Sequence, residues 1–304
     1  MTYTLGILRF AMGILVNFSP ELRTWILHNL DRGCAAENLV QSMVEQKFDP
    51  QIAHCLVQAF IHARRDGIEP PDESIELDAV LDEYRHTPPR LPPGSVIKTT
   101  DREIPVLMRL AQPIIALLDN VLSTDECEQL IDLARPRLHP STVVDLLTGE
   151  DKIAEHRDSE GMFFKLNETP FIAKLDRRIS ELMNCPVENG EGLQVLRYGK
   201  NAKNTPHFDF LAPTNQANRD SLARSGQRIS TLVIYLNEVK SGGETLFPEI
   251  GLSVSPKKGN AAYFEYANSL RQVDPKSVHA GAPVYEGEKW AMTKWMRERR
   301  FIPA

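Results

Sequence analysis

Past residue 190 the chain is a train of short runs rich in β-branched and aromatic residues. They are Leu193–Tyr198, Pro206–Leu211, Ile229–Leu236, Leu252–Val254, Ala261–Tyr266, Ser277–Ala280 and Lys289–Met296. Turn residues separate them, among them Gly242-Gly243, Lys257-Lys258-Gly259-Asn260 and Glu286-Gly287. Closely spaced short strands with turns between them close into a sandwich or barrel. Upstream, Pro113–Leu118 reads as one more strand. Ser123-Thr124-Asp125-Glu126 is a capping box for a helix over Cys127–Ala134, and Thr169-Pro170 starts a helix that runs to about Met183. Helices first and strands afterwards imply an α+β fold in which helices brace a β-sandwich or barrel.

The first third has a different pattern. Ser19-Pro20-Glu21 combines a hydroxyl N-cap, a proline at the first helical position and an acid in the first turn. Leu22, Trp25, Ile26 and Leu30 follow at helical spacing, and Gly33 can end that helix. Ala35–Glu45 reads as a second helix, and Asp49-Pro50 opens a third with Ile52, Cys55, Leu56, Ala59 and Phe60 inward. The expectation is a small all-α N-terminal domain over residues 1–66. The apolar run Leu5–Val16 is interrupted by Arg9 and has neither a basic flank nor a small-residue cleavage site. At about 12 residues it is too short to span a bilayer, so a packed helix or strand is expected in place of an export signal. Residues 67–104 carry Pro70-Pro71, Pro88-Pro89 and Pro92-Pro93. They read as a proline-rich linker with one short helix around Ile75–Tyr84, and the domain boundary is expected near residue 100. Residues 105–304 make up the strand-rich domain.

The 304 residues carry a formal net charge of −6, so neither a nucleic-acid nor a membrane partner is expected. The four cysteines, Cys34, Cys55, Cys127 and Cys185, lie far apart and form no CxxC pair. That argues against a disulfide framework or zinc knuckle and for a reducing, cytoplasmic setting.

The chemistry is carried by His207-Phe208-Asp209. Side chains alternate along a strand, so His207 and Asp209 would share one face, with Phe208 and Phe210 on the other. Imidazole and carboxylate suit a divalent metal of intermediate softness, and a further histidine would complete a facial triad with positions left open. His156-Arg157-Asp158 has the same spacing, but it sits in the polar stretch Glu155–Glu160 without alternating apolar neighbours. His279 lies on the short run Ser277-Val278-His279-Ala280, and Lys289 heads the last strand. Alternation groups Lys289 with Ala291, Thr293 and Trp295, a face of small and aromatic groups able to line a pocket. A buried ammonium there would need an anion.

These segments, in order, resemble the prolyl 4-hydroxylase branch of the Fe(II)/2-oxoglutarate-dependent oxygenases. The carriers are Leu196-Arg197-Tyr198, Pro206-His207-Phe208-Asp209-Phe210 and the run from Arg228 to Asn237. They continue with Gly242-Gly243-Glu244-Thr245-Leu246-Phe247-Pro248, Pro256-Lys257-Lys258-Gly259, His279-Ala280-Gly281-Ala282-Pro283-Val284, Gly287-Glu288-Lys289-Trp290 and Lys294-Trp295. The resemblance spans about residues 112–300. It implies a double-stranded β-helix (jelly roll) with supporting helices. It also implies that His207, Asp209 and His279 ligate Fe(II). Lys289 would then pair with the distal carboxylate of 2-oxoglutarate, helped by Thr245 and Tyr198, with Trp295 walling the same pocket. Arg228 and Arg297 would face the substrate. Asn204 and Ala282 depart from the tyrosine and cysteine common at those positions.

The activity so implied consumes O2 and 2-oxoglutarate, with ascorbate as a reductant, releases succinate and CO2, and hydroxylates C4 of a prolyl residue in a peptide or protein. Hydroxylation of a free amino acid or small natural product is the alternative, since fold and triad do not determine the substrate. A jelly-roll binding module without catalysis is the alternative from another class. The polar segment Ala212–Gln227, with Arg219 and Arg224, is expected to be a mobile lid. The N-terminal helices are expected to recruit a protein partner.

Overall fold

The computed structural model describes residues 6–10, 13–46, 48, 50–77, 84–140, 142–144, 151–153, 159–212, 216–268 and 272–303. The chain divides into two compact units, Met1–Tyr84 and Arg85–Ala304. His156-Arg157-Asp158 lies outside the described residues.

The first unit contains strands β1 (Gly6–Phe10) and β2 (Gly13–Asn17), helices α1 (Pro20–Asp31), α2 (Ala36–Glu45) and α3 (Pro50–Asp66), and strand β3 (Ser74–Leu77). The Ser19 hydroxyl accepts from the Leu22 amide and Pro20 occupies the first turn, so α1 begins where its cap signal stands. Phe18, Leu22 and Ile26 pack with Leu39, Met43, Leu56 and Phe60 in one apolar core. The three expected helices are present, but the unit is not all-α: β1, β2 and β3 form an antiparallel sheet. Glycine opens each half of the N-terminal apolar run, and the residues that follow are rich in Ile, Leu and Val, which suits a hairpin better than one helix. Ser74–Leu77 is likewise a strand where the start of a short helix was expected; residues 78–83 lie outside the described ones.

The second unit begins earlier than the proline content suggests. Leu91, Ile97 and Ile104 are buried in its core, and the Arg90 guanidinium meets the buried Glu265 carboxylate at 2.7 Å. Residues 85–104 are therefore packed structure, because their spaced apolar residues find a partner surface that local composition does not reveal. Strands β4 (Val96–Lys98), β5 (Glu103–Ala111) and β6 (Ile114–Leu118) precede helix α4 (Thr124–Ala134). Both halves of the capping box at Ser123 and Glu126 form. Then come β7 (His139–Pro140), β8 (Thr142–Val144), β9 (Asp151–Ile153), β10 (Ser159–Phe164) and helix α5 (Pro170–Met183). The remainder comprises β11 (Leu193–Tyr198), β12 (Asn204–His207), helix α6 (Gln216–Ser225), β13 (Arg228–Tyr235), β14 (Ser241–Gly242), β15 (Thr245–Phe247), β16 (Leu252–Val254), β17 (Ala261–Glu265), β18 (His279–Gly281), β19 (Val284–Glu286) and β20 (Lys289–Arg297).

Among the described residues a nine-stranded sheet runs β4-β5-β6-β17-β13-β20-β11-β10-β7, and a four-stranded sheet runs β12-β18-β15-β16. Their pairings are antiparallel, as in the expected jelly roll. The strand β20 lies inside the large sheet and is buried along its whole length. One face presents Trp290, Met292 and Met296 to the apolar core, which α5 completes with Ile172, Leu175, Ile179 and Leu182. The opposite face carries Lys289, Ala291, Thr293 and Trp295, which together line a cavity.

Candidate active site

The cavity has its floor on the large sheet and a wall on the small one. Strand registry builds the floor. Opposite Lys289, Ala291 and Thr293 of β20 stand Tyr198, Leu196 and Gln194 of β11. On the other flank Thr231, Val233 and Tyr235 of β13 stand opposite Trp295, Thr293 and Ala291. Directly paired residues in an antiparallel ladder share a face, so these side chains converge. The small sheet adds Asn204, His207, Thr245, His279 and Gly281 to the lining.

His207 and His279 are a cross-strand pair of β12 and β18, with ring centroids 4.3 Å apart. Asp209 completes the group: its Oδ1 is 3.7 Å from His207 Nε2 and its Oδ2 is 3.5 Å from His279 Nε2. The three donor atoms lie within 4.8 Å of one another. Asp209 is not on the strand as expected, because β12 ends at His207. Its partner β18 begins at His279, so the ladder has no further rung, and the chain bends to bring Asp209 in. Ser277 is likewise in a 3-10 turn, set by Pro275 and by Asp274, whose carboxylate accepts from the Lys276 amide.

Each imidazole is held by a backbone carbonyl. His207 Nδ1 lies 2.8 Å from Thr205 O and His279 Nδ1 lies 3.1 Å from Ser277 O. A carbonyl can only accept, so Nδ1 carries the proton in both rings and Nε2 keeps its lone pair. Burial pushes the His279 pKa down to about 4, against the attraction of Asp209, so this ring is neutral at pH 7. Burial alone would raise the Asp209 carboxyl, but His279, His207, Arg228 and the Thr231 hydroxyl together hold it at about 2. Two imidazoles and one carboxylate, with no other protein donor in the cluster among the described residues, are a donor set that Fe(II) accepts with positions to spare.

Lys289 heads β20 at the other end of the cavity. It is buried, and its ammonium lies 5.7 Å from the Tyr198 ring and 5.5 Å from the Tyr235 ring. No carboxylate among the described residues pairs with it. Burial lowers its pKa to about 8, opposed only by the charge of Glu244. Thr245 faces the same space. Its hydroxyl oxygen accepts from Tyr235 at 2.8 Å, which leaves its own proton free to donate to an anion.

A family model described as the 2OG-Fe(II) oxygenase superfamily matches residues 193–297. Prolyl 4-hydroxylase 1 of Arabidopsis thaliana is 42% identical over 202 residues, covering 62% of this chain and 70% of the relative. The chain belongs to the prolyl 4-hydroxylase branch of the 2OG-Fe(II) oxygenases. Prolyl 4-hydroxylase 5 of the same plant is 40% identical over 210 residues, again covering 62% of this chain and 70% of the relative. The chain is also similar to the crystal structure of a viral collagen prolyl hydroxylase from Paramecium bursaria Chlorella virus-1 in its 2OG complex. That likeness has a TM-score of 0.48 and 29% identity over 60% of this chain and 95% of the other. As a 2OG-Fe(II) oxygenase the chain is a dioxygenase that uses Fe(II), 2-oxoglutarate and O2.

Within this oxygenase the structure brings together seven of the residues singled out in the sequence: His207, Asp209, His279, Lys289, Thr245, Tyr198 and Trp295. Arg228 and Arg297 are not in the cavity lining. Arg297 is corrected outright: its buried guanidinium binds Glu191 at 3.0 Å, the Ser221 hydroxyl and the Gly226 carbonyl. Arg228 binds the same Glu191 through two bonds of 2.7 and 2.8 Å. It reaches the site only by lying 4.1 Å over the Trp295 ring and donating to the Asp209 carbonyl at 3.4 Å. Glu191, a carboxylate shared by two arginines, carries no sequence signal. The segment expected to be a lid is largely the helix α6, whose C-terminal end Arg297 and Arg299 hold through Ser221, Leu222, Ala223 and Gly226.

Thr231 and Tyr266 were missed as well. Thr231 donates to Asp209 Oδ2 at 2.7 Å, and with that proton committed the Tyr266 hydroxyl, 3.0 Å away, donates to Thr231. A threonine in the middle of the apolar run Ile229–Leu236 was the available clue, since a buried hydroxyl needs a partner.

Proposed function

We propose that this oxygenase hydroxylates prolyl residues at C4 in a peptide or protein, with His207, Asp209 and His279 holding Fe(II) and Lys289 holding the distal carboxylate of 2-oxoglutarate. The observation that carries the reading is a complementary pair in one cavity: a cluster of metal donors, and a buried ammonium that pairs with no carboxylate among the described residues. The kinship with plant prolyl 4-hydroxylases at 42% and 40% identity supports the prolyl substrate. Held by His207, Asp209 and His279, Fe(II) would supply the chemistry that couples oxidative decarboxylation of 2-oxoglutarate to hydroxylation of a C–H bond, with succinate and CO2 as co-products.

The residues of the chain do the rest. The Thr205 and Ser277 carbonyls aim both histidine Nε2 atoms into the cavity, and Thr231 restrains the Asp209 carboxylate. Lys289 and the free proton of Thr245 supply charge and a hydrogen bond to a carboxylate, while the rings of Tyr198 and Tyr235 flank the ammonium. Leu196, Val233, Ala291 and Trp295 line the cavity with apolar surface that keeps out bulk water.

The test is succinate release with Fe(II), O2 and 2-oxoglutarate in the wild type and in His207→Ala, followed by a peptide screen scored by a mass gain of one oxygen. Loss of succinate in the variant and a gain on prolyl peptides is the expected result. Oxygen insertion into free amino acids alone would replace the peptide reading, and no metal binding with no turnover would leave a binding module. We further propose that residues 1–84, which have a core of their own, recruit a protein partner. Unchanged activity on full-length substrate after removal of that unit would count against it.

A further inference from the structure

Two of the contacts that orient the metal donors start from one residue. Through its hydroxyl, Tyr266 donates to Thr231, which donates to Asp209 Oδ2. Through its main-chain carbonyl, Tyr266 accepts from the Asp274 amide at 2.8 Å. Asp274 then builds the turn that ends at Ser277. Its carboxylate accepts from the Lys276 amide at 2.9 Å, and its carbonyl accepts from both the amide and the hydroxyl of Ser277. The Ser277 carbonyl is the group that holds His279 Nδ1. The side chain of Tyr266 thus leads to one donor of the cluster and its main chain to another.

Tyr266 itself lies just beyond β17, which ends at Glu265. Its neighbours are fixed by a segment from far upstream. The Arg90 Nη1 group donates to the Glu265 carboxylate at 2.7 Å and to the Ala267 carbonyl at 3.0 Å, and the Arg90 amide donates to the other Glu265 oxygen at 2.6 Å. One arginine therefore binds the residues on both sides of Tyr266. Glu265 and Ala267 are buried, where charge-assisted bonds are strong and water does not replace them. A second tie lies five residues earlier. The Arg85 amide donates to Gln272 Oε1 at 3.1 Å, and the Arg85 carbonyl accepts from Asn268 Nδ2 at 3.0 Å. Between the two ties Pro88-Pro89 restricts the backbone, and Asn184 Nδ2 donates to the Arg90 carbonyl at 3.2 Å. Residues 85–90 form a strap across the segment that runs from Glu265 to Asp274.

We propose that Arg90 is a positioning residue for the iron site: by clasping both neighbours of Tyr266 it fixes the residue from which Asp209 and His279 are oriented, and so sets the affinity for Fe(II). The inference rests on His207, Asp209 and His279 as the ligands. Donors already in place need no ordering when the metal arrives, so a loosened Tyr266 is felt as lost metal affinity. Lys289 and Thr245 stand on β20 and β15, outside this network, so the 2-oxoglutarate contacts are separate from it.

The test titrates Fe(II) without O2 against a competing chelator in the full-length chain, with chemical denaturation of the metal-free protein alongside. Arg90→Met should weaken Fe(II) binding about fivefold, and Tyr266→Phe by a similar factor, somewhat less than the loss of a direct partner of a metal ligand. The double variant should fall well short of the product of the two losses, because both act at one residue. The KM for 2-oxoglutarate should stay in place. Arg102→Met is the control: it removes an ion pair with Glu126 of α4 at 3.3 Å, and should cost stability without moving Fe(II) affinity. If Arg90→Met does not fold, Arg90→Gln, which keeps one donor for Glu265, takes its place with the same direction expected. Unchanged Fe(II) affinity in the folded Arg90 variant, an equal loss in Arg102→Met, or losses that simply multiply would overturn the positioning role and leave the ligand assignment standing. Fe(II) binding that survives His207→Ala at full strength would overturn the ligand assignment and this inference with it.

Discussion

Lys289 and Lys294 lie on the same strand and are buried alike, at 5% and 1% exposure, yet the two faces of β20 treat them in opposite ways. Lys294 points into the core, where its ammonium meets Asp176 of α5 at 2.8 Å and also donates to the Glu191 carbonyl. Lys289 points into the cavity and meets two aromatic rings but no carboxylate among the described residues. Burial lowers the pKa of both. A buried charge paired within the fold joins two elements; a buried charge left unpaired is tolerable only where a ligand completes it. The difference separates structure from function on one strand.

The sharpest way to break this comparison is to remove each ammonium. Lys294→Met leaves the Asp176 carboxylate buried without its partner and should destabilise the unit by about 3–5 kcal/mol, read by chemical denaturation. The KM for 2-oxoglutarate of the surviving folded protein should not move. Lys289→Met removes a buried charge that meets no carboxylate among the described residues, so stability should hold or rise. Its KM for 2-oxoglutarate should instead climb roughly 30- to 150-fold, the weight of a charge-assisted contact of about 2–3 kcal/mol. If the two variants exchanged these effects, the division of β20 into a core face and a site face would be wrong.

Thr231 extends the test to β13. Thr231→Val deprives Asp209 of a hydrogen bond and should weaken Fe(II) binding about tenfold, by titration against a competing chelator, with the KM for 2-oxoglutarate much less affected. An unaltered metal affinity would mean that the Asp209 geometry is held by the chain bend alone.

The smallest effect is the pH dependence. The Lys289 pKa of about 8 governs the ligand-free site, and only the ammonium pairs with a carboxylate. Affinity for 2-oxoglutarate should therefore be level below about pH 8 and fall by up to about tenfold per unit above it. Stability runs the other way. The unfolded chain holds this proton up to about 10.5, so the Lys289 contribution to ligand-free stability rises as pH goes from about 8 to 10.5. Binding measured by calorimetry across that interval checks the sign, and Lys289→Arg, which stays charged, should flatten the profile.

Much of this was legible in the sequence because it depends on local periodicity. Alternation along one strand put Lys289, Ala291, Thr293 and Trp295 on one face, and the caps at Ser19, Ser123 and Thr169 marked helix starts that the structure keeps. His207 and Asp209 were found by spacing, although the reason they share a side is a bend after His207 rather than strand alternation. The family resemblance, not any local pattern, put Arg297 toward the substrate, and its guanidinium is committed to Glu191, Ser221 and Gly226.

What only the tertiary structure decided is which strands lie side by side and in what register. Thr231, Tyr235 and Gln194 enter the site because β13 and β11 flank β20 in one alignment, and a shift of one residue would turn every one of them to the other face. The same long-range pairing sets His207 opposite His279 and leaves Asp209 beyond the last rung. Residue types and short spacings belong to the chain itself and can be read from it. The pairing of strands far apart in sequence belongs to the packed whole, and it is this pairing that sets a lysine on an apolar strand into the same cavity as the metal donors.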